Sequence, residues 1–345
     1  MPFSIALPDE TLRQRLLRRI EHMARPPGSL GQLEALALQT GLVQHSLQPA
    51  IRLPQILIFA GDHGAIASGI SAAPQKLTWQ TMEAIVAGQA PISIACQQAA
   101  LALSVVDAGV SHDFPARHGL INAKIEHGTA NYVLEPAMWR SQLERALDYG
   151  RQLAHRLAAE GCNALGLGAM AVGGSGSAAL LTHCLSDIPL EALTGYGADD
   201  EAAGRAQKLA VLQRALARAG RISDPLDALR EYGGFETAML TGAMLGAAEK
   251  RMLVLVDGFI VTAALIAALH IEPALRPYCV FAGHSRETGH APQLEYLQAL
   301  PLLDLGLTLG EGSGPALAFP LLRTAVALLR ESGRSEDSGI GRGHP

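Results

Sequence analysis

At 345 residues, 49% of them apolar, the chain is long enough to bury a sizeable core as one large domain or two. Its formal net charge of −5 leaves no basic footprint, which argues against nucleic acid as a main partner. The four cysteines, Cys96, Cys162, Cys184 and Cys279, are scattered without a C-x-x-C pair, so no zinc site or disulfide framework is expected, and a reduced cytosolic chain is the default.

The first twenty residues have no apolar core of signal-peptide type. Residues 9–24 set Leu12, Leu16, Leu17, Ile20 and Met23 at helical spacing between charges, which predicts an amphipathic helix. Arg25-Pro26-Pro27-Gly28 breaks it, and helical spacing resumes from Gln32 to about Val43. The run Leu53–Ala60 reads as a buried strand ending in Gly61-Asp62-His63-Gly64. In an open parallel sheet ligands bind beyond the carboxyl ends of strands, so Asp62 and His63 are site candidates, or Asp62 only braces its loop. Helices are predicted over 76–87, 91–102 and 138–160, with a short strand at 103–106.

Asn163–Gly168 reads as a strand, Gly168 to Ser177 as its glycine-rich loop, and Ala178 as the start of a helix. That order can face backbone N–H groups and a helix dipole toward an anion, although small residues also serve close packing. No G-x-x-x-x-G-K-[ST] pattern is present, and no convincing dinucleotide fingerprint. Gly195 to Glu201 reads as a polar loop, and a helix carrying Lys208 follows. Strands are predicted at 252–256, ending in Asp257-Gly258-Phe259, and at 278–282, ending in Gly283-His284-Ser285. The most apolar stretch, 253–269, is too short and broken for a membrane span. Strands that end in polar residues and lead into helices predict an α/β fold with a parallel sheet and one polar rim.

Near the end, Leu309-Gly310-Glu311-Gly312-Ser313-Gly314-Pro315 sets one carboxylate among three glycines before a helix over 316–329. Ser313 is the expected N-cap, and free helix-start N–H groups should point the way Glu311 points. Residues 332–345, rich in Gly, Ser and charge, read as a disordered tail.

Seven segments in order, RPPGSLGQLEALA (25–37), FAGDHG (59–64), VVDAGV (105–110), GTANYVLEPAMW (128–139), GGFETAMLTGAMLGAA (233–248), VLVDGFIVTAAL (254–265) and LLDLGLTLGEGSGPALAFPLL (302–322), make the chain similar to the nicotinate-nucleotide:dimethylbenzimidazole phosphoribosyltransferase family. The resemblance implies a Rossmann-like parallel sheet flanked by helices, with a small helical domain from both chain ends. It divides the chain into 1–48 and 316–331 for the small domain, 49–315 for the catalytic domain and 332–345 for the tail. It implies a cytoplasmic homodimer that needs no metal or cofactor, and small-molecule substrates: nicotinate mononucleotide and an aromatic base. Glu311 would be the catalytic base. Gly173, Gly174, Ser175, Gly176, Lys208, Ser285, Asp257 and Gly258 would line the phosphate and ribose, and Ala73, Thr81, Ala169, Met170, Asp62 and His63 the base pocket.

The chain departs from the family pattern where the base should sit. Ala169 stands for an acid, Gly174-Ser175-Gly176 for Asn-Thr-Thr, Ala73 for Ser, and Thr81 for a glutamine that touches the base. Two readings follow. The pocket accepts a different or wider set of bases, or the chain is a paralogue with weak or no activity that binds nucleotide or base, or that needs a partner subunit.

Overall fold

The computed structural model describes residues 3–195 and 202–333. Residues 196–201 of the predicted polar loop, and 334–345 of the predicted tail, lie outside that description. The chain opens with α1 (Glu10–Glu21) and α2 (Gln32–Val43). Asp9 caps α1, its side chain accepting from Leu12 N at 3.1 Å, while Leu12, Leu16 and Ile20 bury one face.

The first half of the sheet and its helices follow: β1 (Gln55–Gly61), α3 (Leu77–Val86), α4 (Pro91–Gln98), β2 (Ala102–Gly109), β3 (Leu120–Asn122) and α5 (Arg140–Ala159). Then come β4 (Ala164–Met170), α6 (Gly174–Leu185), α7 (Leu190–Leu193), α8 (Ala202–Ala219), α9 (Pro225–Tyr232) and α10 (Phe235–Glu249). The chain continues through β5 (Leu253–Val256), α11 (Phe259–Ile271), β6 (Cys279–Phe281), β7 (Gly283–Ser285), α12 (His290–Tyr296), β8 (Leu303–Leu307) and α13 (Ser313–Glu331).

One six-stranded sheet runs in the order β3-β2-β1-β4-β5-β6, with every pair parallel. A parallel sheet is covered on both faces, which is why β1 reads as an unbroken apolar run and is buried from Ile56 onward. Helix α10 is buried on nearly every side between α5 and the sheet. Glycine makes that fit possible, since a Cβ on Gly150 would lie 2.0 Å from Met239 O.

Strand order reverses between β1 and β4, so a crevice opens beyond their carboxyl ends. A second, two-stranded parallel sheet pairs β7 with β8, where the sequence reading places only a loop at Gly283-His284-Ser285. Strand β3, three residues long, is likewise absent from that reading. Helix α13 returns to pack on α2 and α4, joining the two ends of the chain. No helix among the described residues is long and apolar enough to cross a membrane.

Candidate functional site

Glu311 lies on a strained turn between β8 and α13. Its φ is 62°, a left-handed conformation that costs a side-chain-bearing residue about 1–2 kcal/mol. Gly312 follows at φ 80° and is the N-cap; Ser313, expected in that place, is the first helical residue. The turn rests directly on β4, where a Cβ at Gly168 would lie 2.3 Å from Gly312 N and 2.6 Å from the Glu311 carbonyl carbon.

The helix-start N–H groups do not stay free. Asp257, at the end of β5, accepts from Gly312 N at 2.8 Å and from Gly314 N at 3.2 Å. Asp257 is 7% exposed and both its oxygens are engaged by these N–H groups, so it braces the turn from beneath. Burial lifts its carboxyl to about 6 against the pull of the three backbone N–H donors. Burial, and then the neighbouring Asp257 charge, raise the Glu311 carboxyl too. The N–H groups at the start of α13 therefore offset part of the burial cost of the Asp257 charge, and that charge adds to burial in raising Glu311.

Beyond β4 the glycine-rich segment is shorter than expected. Only Gly173 is a loop residue, at φ 84°, and α6 begins at Gly174 rather than Ala178. The N–H groups of Gly174 and Gly176 already donate to Ala171 O and Gly173 O, each at 3.0 Å. The chemistry left on this side is Ser175 Oγ, which accepts from Lys208 Nζ at 2.7 Å. Burial lowers the Lys208 ammonium's proton affinity, and the Glu287 charge opposes that. Glu287 is itself raised by burial, relieved by Lys208 and raised further by Asp257. Charge coupling thus runs from Lys208 to Glu287, from Glu287 to Asp257 and from Asp257 to Glu311. Ser285 closes the rim, and a Cβ on Gly258 would meet Ser285 Cβ at 3.4 Å.

Asp62 and His63 are 1% and 0% exposed, so they lie under the rim and do not line a base pocket. Asp62 braces its loop, accepting from Ser111 N at 2.8 Å. His63 Nε2 meets Glu236 Oε1 at 2.9 Å, and Thr237 donates to the same oxygen at 2.9 Å. Burial alone would discharge both members of the pair. Their mutual charge and hydrogen bond win, leaving His63 raised and Glu236 lowered. Of the pocket candidates, Ala169 is 9% exposed, while Met170, Ala73 and Thr81 are half-buried.

Sequence reasoning missed Glu236, Thr78, Thr262 and His290. Thr78, three residues before Thr81, accepts from Val172 N at 3.3 Å and ties α3 to the end of β4. Glu236 carried one signal, an acid beside Gly233-Gly234 entering an apolar helix; a Cβ on Gly234 would lie 2.2 Å from its oxygens. Among the described residues no group of three or more His, Cys, Asp or Glu is placed to hold a metal ion. A groove of about 960 Å³ between α2 and β6 contains none of these residues, so here chemistry rather than concavity locates the site.

Comparison with known proteins gives the family and agrees with the fold. The phosphoribosyltransferase model DBI_PRT matches residues 5–340. A protein of Aromatoleum aromaticum named nicotinate-nucleotide–dimethylbenzimidazole phosphoribosyltransferase is 54% identical, with 99% of each chain covered. One of the same name from Dechloromonas aromatica is 48% identical, with 98% of each covered. A crystal structure of CobT from Thermus thermophilus superposes with a TM-score of 0.92 at 38% identity, covering 96% of this chain and all of that one.

Proposed function

The chain belongs to the DBI_PRT phosphoribosyltransferase family, and from that footing we propose how its residues carry out the transfer. The reaction moves the ribose phosphate of nicotinate mononucleotide onto 5,6-dimethylbenzimidazole or a related base, giving α-ribazole phosphate and nicotinate. The donor carries its own leaving group. As the C1′–N bond breaks, its electron pair returns to the ring and nicotinate departs with a neutral pyridine nitrogen. The attacking imidazole nitrogen enters from the opposite face, which converts the β-nucleotide into an α-riboside. The other ring nitrogen must lose its proton, and Glu311 takes it.

One observation carries this assignment. Glu311 sits on a turn pinned to the end of β4 and braced by Asp257, with its carboxyl raised toward a useful basicity. Lys208 and Ser175, joined at 2.7 Å, bind the phosphate dianion with Ser285. Burial of Lys208 supports that role, because a phosphate would restore the charge partner that burial removes.

Ala169, Met170, Ala73 and Thr81 line the acceptor side. A wall that offers alanine and threonine where the family offers an acid and a glutamine leaves fewer polar groups to be stranded by a wrong base. That supports a wide acceptor range, and the named relatives all carry the transferase's name. The enzyme is a cytoplasmic homodimer in this proposal; exposed Leu134 and Trp139, 68% and 71% accessible, favour a covered surface. Residues 1–48 and 316–331 form its small domain, supported by the contact of α13 with α2.

The test is nicotinate release from nicotinate mononucleotide with benzimidazoles, adenine and phenols as acceptors. Release with one or more supports the assignment. Folded protein that binds the nucleotide and releases nothing with any acceptor would sink it.

A further inference from the structure

His290, the first residue of α12, is 1% exposed, and its hydrogen bonds leave one tautomer. Its Nδ1 lies 3.0 Å from the Ser285 backbone N–H, a donor, so Nδ1 is the acceptor and carries no proton. Nε2 then bears the hydrogen and faces Thr262 Oγ1 at 3.2 Å. The Thr262 hydroxyl in turn donates to Gly258 O at 2.8 Å, with Asp257 O at 3.1 Å. Ser285 Oγ accepts from Glu287 N at 3.2 Å, which sets its rotamer. The line runs from Ser285 through His290 and Thr262 to the Asp257–Gly258 corner. From that corner the Asp257 carboxylate reaches the Glu311 turn.

We propose that His290 is a positioning residue for the transfer, fixing Ser285 and, through Thr262, the corner that braces the catalytic turn. This rests on the reading of Ser285 as a nucleotide contact and Glu311 as the base. The need for the neutral ring is geometric. A proton on Nδ1 would set two N–H donors face to face across 3.0 Å. The titratable neighbour facing the ring is His284 on β7, stacked at 6.2 Å, with Asp304 on β8 3.6 Å beyond it. Burial, then His284, push His290 down to about 4, which keeps the acceptor available at neutral pH.

Full-length protein carrying His290→Asn, His290→Phe or Thr262→Val would be titrated with nicotinate mononucleotide by calorimetry and assayed for nicotinate release. Asparagine can still accept from Ser285 N–H and should hold nucleotide affinity within about threefold, whereas phenylalanine should weaken it on the order of tenfold or more. The KM of the acceptor base should stay put in each. Thr262→Val keeps the shape of the side chain and should lower kcat with a smaller effect on binding, which keeps the test open if the phenylalanine variant does not fold. Wild-type affinity and turnover in both the phenylalanine and valine variants, or equal damage from asparagine and phenylalanine, would overturn the inference. Wild-type protein that binds the nucleotide without releasing nicotinate would instead count against the transfer reading, and the affinities would still judge His290.

Discussion

Replacing Asp257 by asparagine sets two effects of similar size against each other. A carboxyl moved from 3.8 to about 6 pays for its burial; at 1.36 kcal/mol per tenfold in proton affinity its ionised form is penalised by about 3 kcal/mol. The sign follows from linkage. A raised acid in the folded state contributes most stability below 3.8, and that contribution is lost as pH rises through about 6. Asparagine removes the penalty. It also loses one acceptor, because its NH₂ must face one of the two N–H groups now held at 2.8 and 3.2 Å, at a cost of about 1–3 kcal/mol. The melting temperature at pH 7.5 should therefore change little.

Activity should not be spared. The Glu311 turn would shift off Gly168, and misplacement of a catalytic group by about 1 Å can cost on the order of 100-fold. The Asp257 charge that helps raise Glu311 would also vanish, so the acid limb of the pH–rate profile should move to lower pH. Thermal melting and nicotinate release across pH 5–9 would check both halves. An Asp257→Asn enzyme with unchanged kcat and an unchanged acid limb would refute the brace.

Other substitutions separate the remaining roles. Glu311→Gln should lower turnover by about 10²–10⁴-fold, the usual yield of a general base, with calorimetric nucleotide affinity preserved. Lys208→Ala should raise the KM for the nucleotide without moving that of the acceptor, read by steady-state kinetics. Ala169→Glu with Thr81→Gln should sharpen preference for 5,6-dimethylbenzimidazole in a competition assay; no change would remove those positions from the pocket. His63→Gln leaves Glu236 charged without its cationic partner in the core, which should cost about 3–5 kcal/mol in denaturant unfolding. The wild-type pair has a pH signature as well. The His63 contribution is complete below the ordinary histidine range and fades as pH rises through its raised value. That of Glu236 is complete above the ordinary carboxyl range and fades as pH falls through its lowered value. Stability should therefore decline at both ends in the wild type and flatten in a His63→Gln, Glu236→Gln double variant.

Much of the fold was legible because parallel strands buried on both faces write themselves as apolar runs such as Ile56–Ala60. Amphipathic α1 and α5 were legible by period. What escaped was short or depended on partners distant in sequence. Strand β3 has three residues, and β7 and β8 are defined only by each other. The start of α6 was placed late because glycines argue for a loop, whereas Gly174 and Gly176 are helical under dense packing from Ala171 and Ile70. Within the proposed site, Glu311, Lys208 and Ser285 could be picked from motif and resemblance. The brace by Asp257 could not, because its partners stand 55 and 57 residues away. Asp62 and His63 looked like ligand contacts because they follow a strand. Their burial against Ser111 and Glu236 is a tertiary fact that a polar turn does not announce.

The left-handed backbone at Glu311 sets selection for catalysis against selection for stability at a single codon. A glycine there would relieve about 1–2 kcal/mol of conformational cost and erase the proposed base. Lineages that no longer need the transfer would find Glu311→Gly an easy and mildly stabilising step, so a homologue with glycine at this position would mark lost activity. A homologue that keeps glutamate keeps it against the preference of its own backbone.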